Sequence, residues 1–442
     1  MDQQLRMSGR WYGICAAIVL LGALSVRAGT ATVWQRWLDN RGSLFLFGDS
    51  VSYWHLAHCL AADEPYEYGS PDAAVFRVPG YPWLLSWCVD SSKADAGILA
   101  ARFMGSVFGT LAVATIMLLT AWMFDRAVSL LAGLLTALDP GGVGMSILIL
   151  SEAPFQWLMI LALAALWVAE RAPHRALRFA ILSGLLSGLA VLIRPSWLLA
   201  MPLYYAIRWL AGPRRASIFR QALATGLSMA LIMAPWWYRN YQVTGHFVIT
   251  TLQVGASLYD GWHPAATGGS DTGMVFSQDF AATLRAEDRA AQVPPSNFEY
   301  RLDRKLSSAA WEWAQDHPRD VLRLAGKKFV KTWWPWPTAE ELPGGPLFRW
   351  IVAVPMLLIV IPACTFFVRR AGDWQFLFPF VLPLLYFTLL HLVFVGSVRY
   401  RQPAVFVAIV LAAPEIMLQL RSLQRWSRGR RTAGPIPSHD PP

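Results

Sequence analysis

The chain has 442 residues, of which 55% are hydrophobic and only 15% are charged, with a formal net charge of +10. A soluble globular domain carries about 25% charged residues, so this composition excludes an ordinary soluble protein. Runs of about 20 apolar residues recur, which is the pattern of helices that cross a bilayer. The basic residues lie mostly in short segments between those runs, where they set membrane topology and do not form a nucleic-acid-binding patch.

Ten membrane-spanning helices are predicted in chain order. Their approximate limits are residues 11–28, 103–124, 127–138, 152–169, 179–193, 197–210, 222–237, 348–368, 374–395 and 404–420. The first run also has features of a signal peptide, because Val26-Arg27-Ala28 resembles a small-residue cleavage site, but a retained first span is the preferred interpretation. The predicted fold class is an all-α polytopic membrane protein.

The distribution of arginine predicts the orientation of these spans. With the N-terminus inside, the inner segments hold most of the loop arginines, as the positive-inside rule requires. Both termini are then cytoplasmic, and two long polar segments, residues 29–95 and 238–346, face the exported side. The predicted organisation is an N-terminal transmembrane module, an exported helical domain, C-terminal transmembrane helices and a basic tail, at residues 1–237, 238–346, 347–420 and 421–442.

The second exported segment contains two predicted helices. Ser296 and Glu299 fit a capping box, in which two side chains satisfy the start of a helix that runs to about residue 316. The next helix, over about residues 319–334, has an apolar face and is predicted to lie on the membrane surface as a basic amphipathic helix. Its basic residues are Arg323, Lys327, Lys328 and Lys331.

The first exported segment contains an acid at the start of a short amphipathic helix. Asp49 shares one helical face with Tyr53, Leu56, Ala57 and Leu60. Asp is a preferred N-cap residue, and capping is one interpretation of Asp49. Because the shared face is apolar, the carboxylate would point toward protein or lipid, which favours a catalytic role as well.

A second acid, Glu152, lies at the outer end of the fourth predicted span. Ionisable groups at this depth are costly and are functional candidates by default. The alternative is a helix-start acid that the helix dipole stabilises. Asp139, in the same region of the chain, is a weaker candidate.

Several arginines lie at span ends on the exported side, against the orientation rule. They are Arg77, Arg194, Arg239, Arg399 and Arg401. A single such side chain usually extends to the lipid headgroups, but several from distant segments favour a bound anion. The planar guanidinium donates two hydrogen bonds at once to a phosphate, so at least two of these arginines are predicted to bind one.

The cysteines and histidines show no metal-ligand spacing, so no metal site is predicted. Cys59 and Cys88 both belong to the first exported segment, where either a disulfide or two free thiols fit the sequence.

A set of short motifs runs in order over residues 10–420. They are Gly48-Asp49 with Tyr53, Arg77-Val78-Pro79-Gly80-Tyr81-Pro82, Ser151-Glu152, Arg194-Pro195, Pro235-Trp236 with Arg239-Asn240-Tyr241 and Gly245, and Arg399-Tyr400 with Pro403. In this set the chain resembles the GT-C membrane glycosyltransferases of glycosyltransferase family 39, which includes protein O-mannosyltransferases and lipid A aminoarabinose transferases. The resemblance implies a GT-C-type fold.

It also implies an inverting transfer of a sugar from a polyprenyl-phosphate donor to a hydroxyl of a lipid, glycan or protein. The active site would face the exported side of the cell inner membrane. The family's first-loop catalytic acid matches Asp49, although Ser50 stands where many relatives carry a further acid, and the second acid matches Glu152. The implied substrate-binding residues are Tyr53, Arg77, Tyr81, Arg194, Arg239, Arg399 and Tyr400.

This chemistry needs no cofactor and is compatible with a divalent cation. Two other functions fit a polytopic protein with exported arginines. One is an O-antigen ligase or polymerase, which would depend on a large loop rather than an early acid. The other is a transporter of lipid-linked sugars, which would need polar groups through the middle of the spans.

Overall fold

The computed structural model describes residues 8–90, 95–212, 214–271, 278–293, 297–337 and 345–432. Within these ranges the regular structure is helical, with no strand. In the first half the helices are α1 (Gly9–Asp39), α2 (Gly48–Ala61), α3 (Gly80–Ser86), α4 (Ile98–Met123), α5 (Arg126–Leu138), α6 (Pro140–Ile147), α7 (Glu152–Arg171) and α8 (Ala176–Ile193). The second half comprises α9 (Ala200–Ala211), α10 (Arg215–Thr244), α11 (Val254–Gly261), α12 (Gln278–Ala291), α13 (Phe298–Asp316), α14 (Pro318–Trp333), α15 (Pro346–Arg369), α16 (Trp374–Val393) and α17 (Val398–Thr432).

The protein is a multi-pass membrane protein. Among the described residues, eight helices are long and apolar enough to cross a bilayer, and the pair α5 and α6, bent by 55°, makes a ninth span if it crosses as one unit. Helix α9 covers the sixth predicted span but has only 12 residues. A length of about 30 Å of hydrocarbon normally needs about 20 helical residues, so α9 is too short to cross alone.

Ion pairs at the two ends of α7 nevertheless show that the chain passes along the bundle at α9. Arg194, at the end of α8, pairs with Glu152 at the start of α7. Arg208 of α9 pairs with Glu170 at the opposite end of α7. The chain therefore passes from one face to the other through the 3₁₀ turn Pro195–Trp197 and α9. The structure therefore has eight or nine candidate spans where ten were predicted, and this shorter passage through α9 corresponds to the sixth predicted span.

Three predicted span ends lie too early in the sequence. Helix α1 continues to Asp39, α10 to Thr244 and α17 to Thr432, where the predicted spans end near residues 28, 237 and 420. In the added part of α1, the Thr30 and Thr32 hydroxyls donate to carbonyls four residues back within the same helix. Helix α10 ends at Gly245, whose φ of 72° provides the left-handed cap that glycine adopts easily.

The most enclosed membrane helices are α7 and α17, which lie at the centre of the bundle. Residues 404–413 of α17 are almost completely buried, and α7 contributes Phe155, Met159 and Leu163 to the same apolar core. These two helices begin with Glu152 and with Val398-Arg399. The best-packed elements therefore carry charged groups to one face of the membrane domain.

The two long segments between membrane helices confirm some predictions and correct others. Helices α13 and α14 lie close to the predicted limits, whereas Ser296 of the predicted capping box is outside the described residues. Lys328 was predicted on a membrane-facing basic surface, but it is fully buried and donates to the Val393 carbonyl at 2.6 Å. Cys59 and Cys88 are free thiols.

Arg27 is a buried arginine of α1 that the sequence did not single out. Its guanidinium donates to the carbonyls of Thr136 and Ala137 at 3.1 and 3.0 Å, and its Nε donates to Ser146 Oγ at 3.3 Å. Those carbonyls belong to the last turn of α5, where helical partners are missing. Arg27 therefore closes the C-terminal end of α5 just before the bend into α6.

We expect Arg27→Met to destabilise the protein by about 2 kcal/mol, because the α5 carbonyls lose charge-assisted hydrogen bonds in a buried place. The matched control is Arg36→Met, since Arg36 is an exposed arginine of the same helix. Thermal unfolding in detergent should show a lower melting temperature for the Arg27 variant alone. Equal melting temperatures for the two variants would contradict the capping role.

Candidate active site

Asp49 lies at the start of α2, where two arginines hold its carboxylate. Arg77 Nη2 donates to Oδ1 at 2.6 Å, and Arg399 Nη1 donates to Oδ2 at 2.9 Å. Asp49 is the second residue of the helix, and the cap position belongs to Phe47, with no side-chain capping bond. The N-cap interpretation is therefore wrong.

The short loop before α3 aims Arg77 at this carboxylate. Its Nε donates to Ser52 Oγ at 3.1 Å, one turn along α2 from Asp49. Its guanidinium carbon lies 5.0 Å from the centre of the Tyr53 ring. The Tyr66 hydroxyl contacts the carbonyls of Arg77 and Val78 at 3.2 Å and fixes the backbone that carries the arginine.

The second carboxylate of the site is Glu152, the first residue of α7. Its Oε1 accepts from Arg399 Nε at 2.6 Å and pairs with Arg194 Nη1 at 2.9 Å. Its side chain is 0% exposed, whereas the side chain of Asp49 is 32% exposed. Glu152 therefore holds Arg194 and Arg399 from the protein interior, whereas Asp49 is the carboxylate that a substrate can reach.

Arg399 joins the two halves of the site. Its Nε donates to Glu152, and its Nη1 donates to Asp49, which lies 350 residues away in the sequence. Together the three arginines and two carboxylates carry one net positive charge, with Arg77 and Arg194 completing the set. We call these five side chains the charged cluster.

Aromatic rings surround the charged cluster. Tyr400 lies within cation–π distance of Arg399 and Arg194, at 5.8 and 6.0 Å, and stacks on His391 at 4.4 Å. Tyr53 packs edge-on against Tyr81 with ring centres 5.0 Å apart. Tyr81 is almost completely buried and packs against the side of Tyr53.

Electrostatics keep Asp49 ionised. Burial alone would raise the pKa of Asp49, but Arg399 and Arg77 outweigh burial and lower the pKa well below its usual range. Burial would also lower the pKa of Arg77, and the neighbouring Asp49 raises it instead. While both arginines hold it, Asp49 is a poor proton acceptor because the ionised form is so strongly stabilised.

The structure does not bring all the predicted exported residues into the charged cluster. Arg239 donates to the carbonyls of Ala74 and Tyr66, and Arg401 donates to the carbonyls of Thr332 and Pro335. Both arginines therefore tie together segments that connect the membrane helices. The weaker candidate Asp139 caps α6 by accepting from Gly142 N at 2.7 Å, and it also accepts from Gln402 at 2.6 Å.

Glu299 holds the loop that carries Arg77, and sequence reasoning missed this contact. Its Oε2 accepts from Val75 N at 2.8 Å, while Arg239 binds the adjacent Ala74 carbonyl. The backbone of residues 74–75 is thus held by Glu299 of α13 and by Arg239 of α10. The sequence did single out Glu299 as the acid of a capping box, but that pattern predicts a contact within its own helix and not with Val75.

Burial raises the pKa of Glu299 to about 8, while the Val75 and Ala74 backbone groups and Arg239 lower it and Asp303 raises it. The folded state therefore binds a proton that the unfolded state releases near pH 4.5. The resulting stability is fully present below that pH and is lost as the pH rises through about 8. Glu299→Gln cannot ionise and lacks this dependence.

We therefore expect the melting temperature of the wild type, relative to that of Glu299→Gln, to fall between about pH 5 and pH 8. Thermal scans of both proteins across this range provide the measurement. Glu287→Gln is the matched control, because Glu287 is half exposed and pairs with Lys305 at 3.1 Å. A difference in melting temperature between the wild type and Glu299→Gln that stays constant across this pH range would contradict the titration of Glu299.

Among the described residues, no group of three or more His, Cys, Asp or Glu side chains could hold a metal ion. The charged cluster itself offers two carboxylates, and arginines occupy both.

The helical arrangement is similar to that of a solved oligosaccharyltransferase, in agreement with the GT-C-type fold that the sequence predicts. In particular, the chain is similar in structure to the archaeal oligosaccharyltransferase AglB of Archaeoglobus fulgidus in complex with an inhibitory peptide and a dolichol-phosphate, with a TM-score of 0.56, 16% identity, and coverage of 97% of this chain and 53% of that chain. The apo form of the A. fulgidus enzyme gives a TM-score of 0.57 at 14% identity, covering 97% of this chain and 52% of that one. The same enzyme tethered to an acceptor peptide gives a TM-score of 0.57 at 14% identity, covering 95% of this chain and 51% of that one.

The chain thus spans about half the length of the structures it matches. No family model and no curated protein matches the sequence. At this level of identity the likeness establishes the fold, and the narrower resemblance to glycosyltransferase family 39 stays a prediction.

Proposed function

We propose that the protein is an inverting glycosyltransferase that uses a sugar linked to a polyprenyl phosphate. The observation that carries this proposal is the charged cluster, in which Asp49 and Glu152 share Arg399 at one end of a GT-C bundle. The A. fulgidus oligosaccharyltransferase of the same fold has been solved with a dolichol-phosphate, which supports a lipid-linked phosphate as the donor class.

The arginines supply the binding site for the donor phosphate. Arg77 and Arg399 retain 20% and 14% exposure of their side chains, and both already face the reachable carboxylate of Asp49. The single net positive charge of the cluster matches a phosphodiester, which carries one negative charge. Because these residues lie at helix ends, the donor phosphate can stay at headgroup level while its polyprenyl chain remains in the membrane.

The reaction exchanges one bond for another. The acceptor oxygen attacks the anomeric carbon of the sugar as the bond from that carbon to the phosphate oxygen breaks. The phosphate leaves with the electron pair, and Arg77, Arg194 and Arg399 stabilise the charge that develops on it. Asp49 takes the proton from the acceptor hydroxyl, a role that typically accelerates such steps by about 10²–10⁴-fold.

Donor binding also activates the base. Asp49 and the phosphate of the sugar donor compete for the same N–H groups of Arg77 and Arg399. The phosphate therefore weakens the ion pairs that hold Asp49 ionised. The pKa of Asp49 then rises toward the ordinary value of a carboxylic acid, and its capacity to accept a proton increases. Glu152 keeps Arg399 and Arg194 in place throughout, because it is buried and has no access to the acceptor.

The acceptor is a hydroxyl of a lipid, a glycan or a protein, and the reaction takes place on the exported face of the cell inner membrane. The sugar is a hexose or a pentose. Tyr53 and Tyr400 present aromatic faces beside the arginines, where they can contact the sugar ring.

Asp49→Asn tests this function. We expect transfer to fall by at least about 10²-fold, because the base is lost. We also expect the donor to bind about tenfold more tightly, because a neutral amide competes less well for Arg77 and Arg399; tenfold corresponds to about 1.4 kcal/mol. The measurements are radiolabelled sugar transfer from a panel of polyprenyl-phosphate hexoses and pentoses, and a binding titration with polyprenyl phosphate by native mass spectrometry.

Asp72→Asn is the matched control, since Asp72 lies in the same exported segment and its ion-pair partner, Arg285, is exposed and 3.9 Å away. It should leave both transfer and donor binding unchanged. Retained transfer in Asp49→Asn would remove Asp49 from the mechanism. Weaker donor binding in that variant would contradict the competition between carboxylate and phosphate. Donor movement across vesicles without transfer would favour the transporter alternative.

A further inference from the structure

A second polar groove lies in the exported domain, between the loop that follows α11 and the start of α14. Its volume is about 360 Å³, within the range of roughly 300–1,000 Å³ that small-ligand pockets occupy. The polar and aromatic side chains that line it are His263, Trp313, His317, Asp320, Arg323 and Lys327. None of these residues belongs to the charged cluster.

His263 presents an unused hydrogen-bond donor to this groove. Its Nδ1 accepts from Ala265 N at 3.3 Å, so in the neutral ring the proton is on Nε2. Burial lowers the pKa of His263, with Asp260 and Asp271 acting in the opposite direction, which favours the neutral ring. The residue is 2% exposed, and among the described residues Nε2 has no hydrogen-bond partner. A buried donor without an acceptor is costly, and a ligand oxygen would satisfy it.

The opposite wall of the groove is cationic. Arg323 and Lys327 lie one helical turn apart on α14, and within the described part of the chain neither has a carboxylate partner. Asp320 is the one acid among the lining side chains, and it faces the groove from the same helix. The lining therefore carries one net positive charge together with an acceptor for hydroxyl groups.

An aromatic platform completes the groove. The rings of Trp313 and His317 stack with centres 5.1 Å apart and an interplanar angle of 13°. A flat aromatic face beside cationic donors and one carboxylate suits a sugar ring, whose C–H face packs on the rings while its hydroxyls bind the polar groups. A ligand with an anionic substituent also neutralises Arg323 and Lys327.

Rigid contacts connect this groove to the charged cluster. The loop that forms one wall continues to Gly268, whose carbonyl accepts from Gly396 N at 2.9 Å. Gly396 is three residues before Arg399 in the chain. Helix α14 is fixed to the same region, because Lys328 donates to the Val393 carbonyl at 2.6 Å and Arg401 donates to the Thr332 carbonyl at 3.0 Å. The groove and the catalytic arginine thus share one exported scaffold.

We propose that this groove binds the acceptor, and that the acceptor contains an anionic sugar, bearing a phosphate or a carboxylate. This inference rests on the proposed glycosyl transfer and adds the acceptor class to it. The anionic sugar comes either from the headgroup of a glycolipid or from a soluble glycan. Both sources present the same chemistry to His263, Arg323 and Lys327.

The experiment is saturation-transfer NMR on the full-length protein in lipid nanodiscs, with glucose 1-phosphate, glucuronate, glucose and inorganic phosphate as probes. We expect both anionic sugars to bind at least fivefold more tightly than glucose, and inorganic phosphate to compete only weakly. The double variant Arg323→Ala/Lys327→Ala should weaken binding of the anionic sugars at least fivefold. The matched control Arg319→Ala, an exposed arginine of the same helix outside the groove, should not.

His263 provides a second test of the same site. His263→Gln retains a donor near the position of Nε2 and should keep binding, whereas His263→Leu should lose it. Nanodiscs doped with a phosphorylated glucosamine lipid identify the source: displacement of glucose 1-phosphate by this lipid indicates a glycolipid, and no displacement indicates a soluble glycan. Equal binding of glucose and the anionic sugars, or unchanged binding in the double variant, would overturn the proposal.

Asp49→Asn separates this proposal from the proposed function. That variant should bind the anionic sugars as the wild type does while it fails to transfer. A groove that binds none of the probes, in a protein whose transfer depends on Asp49, refutes the acceptor site alone. Binding that depends on Arg323 and Lys327, in a protein that transfers without Asp49, refutes the catalytic assignment alone.

Discussion

The structure of the site depends on one guanidinium that serves two carboxylates. Arg399 donates to buried Glu152 at 2.6 Å and to reachable Asp49 at 2.9 Å. Because α17 and α7 are the most enclosed membrane helices, the pair between Arg399 and Glu152 has a fixed position. Helix α2 and the loop of Arg77 then dock onto this fixed pair through Asp49. The exported segment is therefore aligned with the membrane domain by charge as well as by apolar packing.

Charged groups at this depth cost free energy to desolvate, and the pairing within the cluster offsets that cost only when every partner is present. The arrangement leaves one net positive charge in the cluster. In the mechanism proposed above, Asp49 is a poor proton acceptor until the donor phosphate binds the arginines, so the ion pairs that join α2 to the membrane helices would also control the base.

Much of the site could be predicted from the sequence because the bilayer makes charged residues conspicuous. Asp49, Glu152, Arg77, Arg194 and Arg399 each stand out at the end of an apolar run, and the structure brings all five together. Sequence spacing alone could not show which carboxylate would be buried, since this depends on how α7 and α17 pack.

The contacts that the sequence did not predict share a physical reason. Arg239 and Arg401 have the same position at span ends as the site arginines, but their partners are backbone carbonyls, which carry no signature in a sequence. Lys328 belongs to a basic helix, yet the Val393 carbonyl draws it inward. Glu299 reaches Val75 across more than 200 residues, and no local pattern predicts a contact of that range.

The central claim is that a donor phosphate takes the place of Asp49 between Arg77 and Arg399. A cryo-electron microscopy structure of the full-length protein with bound polyprenyl phosphate tests it most directly. The account predicts the phosphate within hydrogen-bond distance of both guanidinium groups, with the carboxylate of Asp49 separated from at least one of them and Glu152 still bound to Arg399. A lipid phosphate bound elsewhere, with both ion pairs of Asp49 intact, would contradict it.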